Sequence, residues 1–68
     1  MMTIEGEVIA TCQGNDGCTT VWFADAPKAR FGGIFILQLA VRYRFKCEPL
    51  PFANSPLWEV MDLEVVRA

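Results

Sequence analysis

Residues 41–47 of the chain, Val-Arg-Tyr-Arg-Phe-Lys-Cys, alternate apolar and basic side chains without a break. Successive side chains of a strand point to opposite faces of a sheet, so an alternation with period two predicts a β-strand. The apolar face of this strand carries Val41, Tyr43, Phe45 and Cys47. The basic face carries Arg42, Arg44 and Lys46. The stretch therefore predicts a β-rich fold in which one face of this strand lies in the core.

Two other segments, one near each end of the chain, show the same period. Residues 2–12 predict a strand whose core face holds Ile4, Gly6, Val8, Ala10 and Cys12. Residues 57–67 predict a last strand whose core face holds Glu59, Met61, Leu63 and Val65. A glycine inside a strand is typical of a bulge or a tight bend, so we expect such an irregularity at Gly6.

The segments between these strands predict one hairpin and two loops. Gln13–Gly17 is a turn, and Cys18–Ala24 resumes as a strand rich in Thr, Val and aromatic residues. Residues 25–33 contain Pro27 and a Gly-Gly pair, which predict a loop with at most one helical turn. Residues 34–39 are almost continuously apolar, which favours a buried strand, although periodicity alone also allows a helical segment. Residues 48–56 contain three prolines and predict a second loop.

Five strands and at most one helical turn predict an all-β fold, a single domain over residues 1–68 that forms a small closed barrel. The layout resembles the OB-type barrel of cold-shock domains and bacterial translation initiation factor 1. The resemblance lies in Ile4–Val8, in the hairpin, in Val41–Phe45 and in Trp58–Val65. The RNA-binding aromatic signatures of cold-shock domains are absent, and the closest stretch is Val21-Trp22-Phe23-Ala24. An SH3-like barrel is the alternative topology.

The composition is acidic overall but not uniformly so. The net charge is −2 and the pI is about 4.8, which argues against indiscriminate binding to nucleic acid. Residues 26–47, however, contain five basic side chains and no acidic one. Hydrophobic residues make up 53% of this short chain, more than we expect one copy to bury. The excess predicts a homo-oligomer or a protein partner.

The basic residues are the candidate site for single-stranded nucleic acid or for another partner. Arg42, Arg44 and Lys46 are placed to follow a phosphate backbone, together with Lys28 and Arg30 from the loop, and Trp22 offers a stacking surface. The alternative is a solvated face paired across the sheet with Asp62 and Glu64 or with Glu5 and Glu7. A possible protein interface comprises Ile9, Phe35, Trp58 and Val60.

Catalytic and metal chemistry find little support in the sequence. The chain has no histidine, so the commonest general base is missing, and we expect a protein that is not an enzyme and has no cofactor. Cys12, Cys18 and Cys47 are expected to be free thiols. The alternatives are a conditional disulfide between Cys12 and Cys18, or a three-thiolate zinc site, which lacks the fourth ligand of a structural site.

No targeting or membrane-spanning signal is visible. The first residues, Met1–Val8, lack the basic and apolar regions of a secretory signal. The longest apolar stretch, Phe31–Val41, is shorter than the ~20 residues that span a bilayer. We therefore expect a cytoplasmic protein without membrane association. The predicted function is a small non-enzymatic binding module for single-stranded nucleic acid, or alternatively a protein-interaction or self-assembling module that regulates or inhibits a larger machine.

Overall fold

Five β-strands make up the regular structure of the part of the chain that the structure describes. The computed structural model describes residues 1–51 and 55–67. The strands are β1 (Met2–Gln13), β2 (Cys18–Phe23), β3 (Ala29–Gly32), β4 (Arg42–Pro49) and β5 (Trp58–Arg67). The described residues contain no helix, and the helical turn considered at Asp25 is a bend.

The strands close into a ring in the order β1-β2-β3-β5-β4, and β4 pairs back onto β1. β1 pairs with two neighbouring strands: residues 2–7 pair with β4, and residues 8–13 pair with β2. Neighbouring strands are antiparallel except β3 and β5, which are parallel. Among the described residues, the ring is closed between β3 and β5 by a single pair, Phe31 with Trp58. The prediction of an all-β fold with five strands in a closed ring is confirmed.

The core is built around β4. All four apolar side chains of the alternating stretch are buried, as predicted, and Phe45 and Cys47 are completely inaccessible. The ring of Phe45 stacks on that of Phe31 at 4.4 Å between centroids and meets the ring of Phe23 edge-on at 5.9 Å. The other buried apolar residues are Val8, Val21 and Ala29. Burial raises the pKa of the Cys47 thiol.

The alternation of β1 changes face at a bulge. Val8 pairs with Phe23 and Ala10 pairs with Trp22, so Ile9 is the extra residue. An extra residue shifts the parity of every residue that follows it. Ala10 and Cys12 are therefore exposed, and the prediction that they face the core is wrong. The irregularity expected at Gly6 lies at Ile9 instead.

β5 changes face for the same reason. Cys47 pairs with Val60 and Lys46 pairs with Asp62, which leaves Met61 without a partner in the ladder. Met61 is 50% exposed and Glu59 is exposed, so the prediction that they face the core is wrong. Val65 follows Leu63 at the spacing of one strand face but is 62% exposed, so its predicted burial is wrong as well. The residues of β5 that pack against the core are Trp58, Val60 and Leu63.

The third strand lies earlier in the chain than predicted. It is Ala29–Gly32, inside the expected loop, whereas residues 34–39 form no strand. Gly33 has a φ of +99° and ends β3 by turning the chain away from the sheet. The buried Thr19 hydroxyl then donates to the Gly33 carbonyl at 2.8 Å and accepts from the Phe35 amide at 3.2 Å. Side-chain bonds thus replace a strand ladder in this apolar segment.

Candidate ligand-binding groove

The predicted basic residues fall into two separate places. Arg42, Arg44 and Lys46 lie side by side on the outer face of β4, which we call the β4 basic face. Lys28 and Arg30 lie at the start of β3, on a different part of the ring. The two groups therefore have to be considered as separate candidate sites.

The β4 basic face is compensated by carboxylates from neighbouring elements. Both oxygens of Glu5 are used, because Arg42 Nε donates to one and Arg44 Nε to the other, each at 2.9 Å. Arg42 also donates through Nη1 to Asp25 at 2.7 Å. The Arg42 guanidinium holds the pKa of Asp25 below its ordinary value, and Arg42 with Arg44 does the same for the pKa of Glu5.

Glu64 completes this compensation from β5. Its carboxylate oxygens lie 3.3 Å from Lys46 Nζ and 3.6 Å from Arg44 Nη1. The three cations of the β4 basic face therefore meet three carboxylates, from Glu5, Asp25 and Glu64. Glu5 and Glu64 are among the partners that the sequence offered for a paired face, whereas Asp25 was not offered, and neither Glu7 nor Asp62 forms an ion pair with the described residues. Such a face presents little uncompensated charge to a phosphate backbone.

A cavity of about 340 Å³ opens beside Lys28 and Arg30. We call it the β2–β3 cavity. Its lining combines two cations, two hydroxyls and an indole: Thr20, Lys28, Ala29, Arg30, Ser55, Pro56 and Trp58. Arg30 donates to Ser55 Oγ at 3.0 Å and to Asp16 Oδ2 at 2.6 Å, and this ion pair lowers the pKa of Asp16. Arg30 is thus fixed in the wall of the cavity with part of its charge neutralised.

A second cavity of about 350 Å³ adjoins the first, and we call it the β1 cavity. Its polar residues are one threonine, one glutamate and one lysine, and it is lined by Thr3, Ile4, Glu5, Ala26, Pro27, Lys28, Ala29 and Trp58. Lys28, Ala29 and Trp58 are common to both linings. The two cavities are therefore neighbours that share part of their walls, and we call the pair the groove.

Lys28 is the most available cation of the groove. It is exposed, and it forms no ion pair with any residue that the structure describes. Trp58 is half-buried, packs its inner side against the core, and pairs with Phe31 at the start of β5. An exposed ammonium group beside a fixed indole can hold an anionic group and a planar ring at the same time.

The other predicted site residues have different surroundings. Trp22 lies half-exposed on the outer side of β2, but it lines neither cavity. Phe35, Trp58 and Val60, which were predicted as interface residues, are half-buried against the core, whereas Ile9 is 51% exposed. Of the predicted set, Lys28, Arg30 and Trp58 line the groove, while Arg42, Arg44 and Lys46 lie together on the β4 basic face.

Sequence reasoning did not identify most of the groove lining. Thr3 and Ile4 of β1 meet Ala26 and Pro27 of the β2–β3 connection only because the ring closes in this order. No spacing rule places residues so far apart in the chain on one groove. The usable signal was Trp58, a tryptophan directly after a proline-rich loop, which was assigned to an interface instead.

An apolar surface lies elsewhere, on the connection between β3 and β4. Ile34, Ile36 and Leu39 are 54%, 93% and 59% exposed, while Phe35 and Leu37 between them pack against the core. The Ala40 amide donates to the Val8 carbonyl at 2.8 Å, so this connection runs next to the exposed Ile9. A soluble surface rarely leaves such side chains together without a use.

All three cysteines are free, and Cys12 lies opposite Thr20 rather than Cys18 in the hairpin. Within residues 1–51 and 55–67, no three metal-ligating side chains come together, and no helix is long and apolar enough to cross a bilayer. Comparison with family models, with curated proteins and with solved structures found no match to this chain.

Proposed function

We propose that this protein is a non-enzymatic binding module that holds single-stranded nucleic acid in the groove around Lys28 and Trp58. The observation that carries the proposal is a pair of neighbouring cavities whose shared wall holds an exposed, unpaired lysine and a fixed indole, within the described residues. Single-strand binders combine cations that follow the backbone with aromatic side chains on which bases stack. The groove offers both.

The topology supports the same ligand. Because β4 and β5 are exchanged in the ring relative to their order in the chain, the ring is of the Greek-key kind rather than a plain up-and-down ring. OB-type barrels are five-stranded Greek-key barrels that bind oligonucleotides on the face of strands 2 and 3 and with the connection between strands 4 and 5. The β2–β3 cavity is lined by Thr20 of β2, Arg30 of β3 and Ser55 of that connection. We therefore favour the OB-type over the SH3-like interpretation.

We propose the groove, rather than the β4 basic face, as the nucleic-acid site. Binding is then expected to be moderate in its salt dependence, because only Lys28 and part of the charge of Arg30 face the ligand. With one or two cations engaged, counterion release predicts a fall in affinity of about 5- to 25-fold for each tenfold rise in salt. A steeper fall would bring the β4 basic face back into the contact.

The test is fluorescence anisotropy of a labelled mixed-sequence single-stranded oligonucleotide over a range of salt concentrations. Lys28→Ala is expected to weaken binding and to reduce the salt slope by about 0.7, the value for one phosphate contact on a single strand. Lys46→Ala is the matched control, because Lys46 is engaged with Glu64 and lines neither cavity. Absence of binding at low salt, or equal losses in the two variants, would overturn the proposal.

Self-association is the second candidate function, and the exposed side chains of Ile34, Ile36 and Leu39 favour it. Light scattering on the same samples separates the two functions. A monomer that binds the oligonucleotide at low salt supports the groove. A dimer or larger assembly that persists at high salt and ignores the oligonucleotide assigns the function to the apolar surface, because apolar contacts are not screened by salt.

A further inference from the structure

The two halves of the groove differ in chemistry. The β2–β3 cavity is lined by two cations, Lys28 and Arg30, and by the hydroxyls of Thr20 and Ser55. The β1 cavity shares Lys28 but has Glu5 in place of a second cation, with the Thr3 hydroxyl and apolar walls from Ile4, Ala26 and Pro27. A ligand that fills both halves is therefore best placed with its anionic end beside Arg30.

We infer that the groove binds one nucleotide unit in a fixed orientation, with the 5′-phosphate in the β2–β3 cavity and the base in the β1 cavity. The inference rests on the proposed nucleic-acid function for its class of ligand. Lys28 lines both cavities and is placed to reach the phosphate, while Trp58 is part of the wall of both. Each cavity, at about 340 and 350 Å³, is within the size range of small-ligand sites.

The electrostatics oppose the reverse orientation. Glu5 lines the β1 cavity and Arg30 lines the β2–β3 cavity, so a phosphate is better placed in the β2–β3 cavity. A base there would meet an acceptor instead. The carboxylate oxygens of Glu5 each accept one bond from an arginine, and a carboxylate oxygen has two lone pairs, so an accepting position remains on each. We expect cytosine, with the two donors of its exocyclic amino group, to bind more tightly than uracil, whose base offers the single N3–H donor.

The experiment is an NMR titration of the ¹⁵N-labelled protein with cytidine, cytidine 5′-monophosphate, uridine 5′-monophosphate and inorganic phosphate. Cytidine is expected to shift the amides of Ile4 and Ala26, and the cytidine monophosphate to shift those of Thr20 and Arg30 as well. The monophosphate should bind about tenfold more tightly than the nucleoside, the gain of one charged hydrogen bond. Lys28→Ala should remove that gain, and Lys46→Ala should keep it.

Each alternative outcome overturns a different part. Cytidine monophosphate that shifts Thr20 and Arg30 but leaves Ile4 and Ala26 unmoved overturns the orientation. Equal binding of uridine and cytidine monophosphates overturns the role of Glu5. An oligonucleotide that binds while the mononucleotides do not overturns the inference and leaves the proposed function standing. Mononucleotides that bind as inferred, with no tighter binding of the oligonucleotide, overturn the proposed function and assign the groove to free nucleotides.

Discussion

Gly6 is the residue of β1 that the ring of Phe23 covers. It is buried, pairs regularly with Tyr43 in β4, and has no unusual φ, so a bulge does not explain its presence. A Cβ at this position would lie 2.8 Å from Phe23 Cδ1 and 3.0 Å from Phe23 Cβ and Cγ. The crowding, rather than the backbone conformation, requires glycine here.

We expect Gly6→Ala to destabilise the fold by about 1–3 kcal/mol, because Phe23 must leave its position in the core. Urea unfolding followed by tryptophan fluorescence measures this change. The matched control is Gly32→Ala in β3, where the nearest atoms to an added Cβ are 3.8 Å away. Gly32→Ala should stay within about 0.5 kcal/mol of the parent protein. If both variants are equally stable, Phe23 has room to move and the crowding argument fails.

Thr19 holds the connection that follows β3 in place, so its side chain acts on a whole segment of the fold. Its hydroxyl is completely buried and satisfies both the Gly33 carbonyl and the Phe35 amide. Thr19→Val keeps the shape but leaves those two backbone groups without a partner, which should cost about 1–3 kcal/mol. The same change should speed hydrogen exchange at the Phe35 amide.

Thr19→Ser is the control, because it keeps the hydroxyl and removes only a methyl group. We expect it to preserve the slow exchange of the Phe35 amide even if some stability is lost to the small cavity. Fast exchange in the serine variant would mean that packing, and not the hydroxyl, positions residues 33–35. Slow exchange of the Phe35 amide in the valine variant would likewise mean that the Thr19 hydroxyl does not hold that amide.

The elements differ in how far the sequence could predict them. β4 was predictable because it has a regular ladder with β1 and one buried face, so its side chains alternate over the whole stretch. β3 was not, because it is four residues long and its two buried residues, Ala29 and Phe31, lie between a proline and two glycines. The apolar run at residues 34–39 gave the stronger pattern, although tertiary contacts, not a ladder, hold it.

The candidate site was predictable only in part, because it depends on the order and register of the strands. Basic residues on one segment suggested one surface, but Arg42 and Arg44 meet Glu5 across the β1–β4 ladder, while Lys28 lies at the groove. Which cation is compensated depends on strand order and register. A period-two pattern gives the face on which each side chain lies, but it gives neither the strand order nor the register.

At the scale of the whole molecule, four of the five Lys and Arg side chains that the structure describes are paired with carboxylates. Arg42, Arg44 and Lys46 have carboxylate partners, and so does Arg30, whereas Lys28 has none among the described residues. Among the described side chains, the unpaired positive charge therefore lies at the groove. The same pairing makes the stability of the fold depend on pH.

The direction of that dependence follows from the lowered pKa of Glu5, of Asp16 and of Asp25, each held down by an arginine partner. In the folded state these carboxyls take up protons only at a lower pH than in the unfolded chain. The contribution of these three carboxyls to stability is therefore fully present above their pKa values in the unfolded chain, about 4, and it is lost as the pH falls below those values. We expect the Tm to be nearly constant between about pH 5 and 7 and to fall at lower pH.

Glu5→Gln tests whether the pairing across β1 and β4 causes this fall. The variant should have a lower Tm than the parent at pH 7, because the amide cannot form ion pairs with Arg42 and Arg44. The two curves should converge at low pH, where the Glu5 carboxyl of the parent is protonated in both the folded and the unfolded state. Glu7→Gln is the matched control on the same strand, because Glu7 is exposed and forms no ion pair with the described residues. A difference in Tm between Glu5→Gln and the parent that is the same at every pH would mean that Glu5 contributes through packing alone. In that case Glu5 would not neutralise the β4 basic face, and this face would be free to bind an anionic ligand.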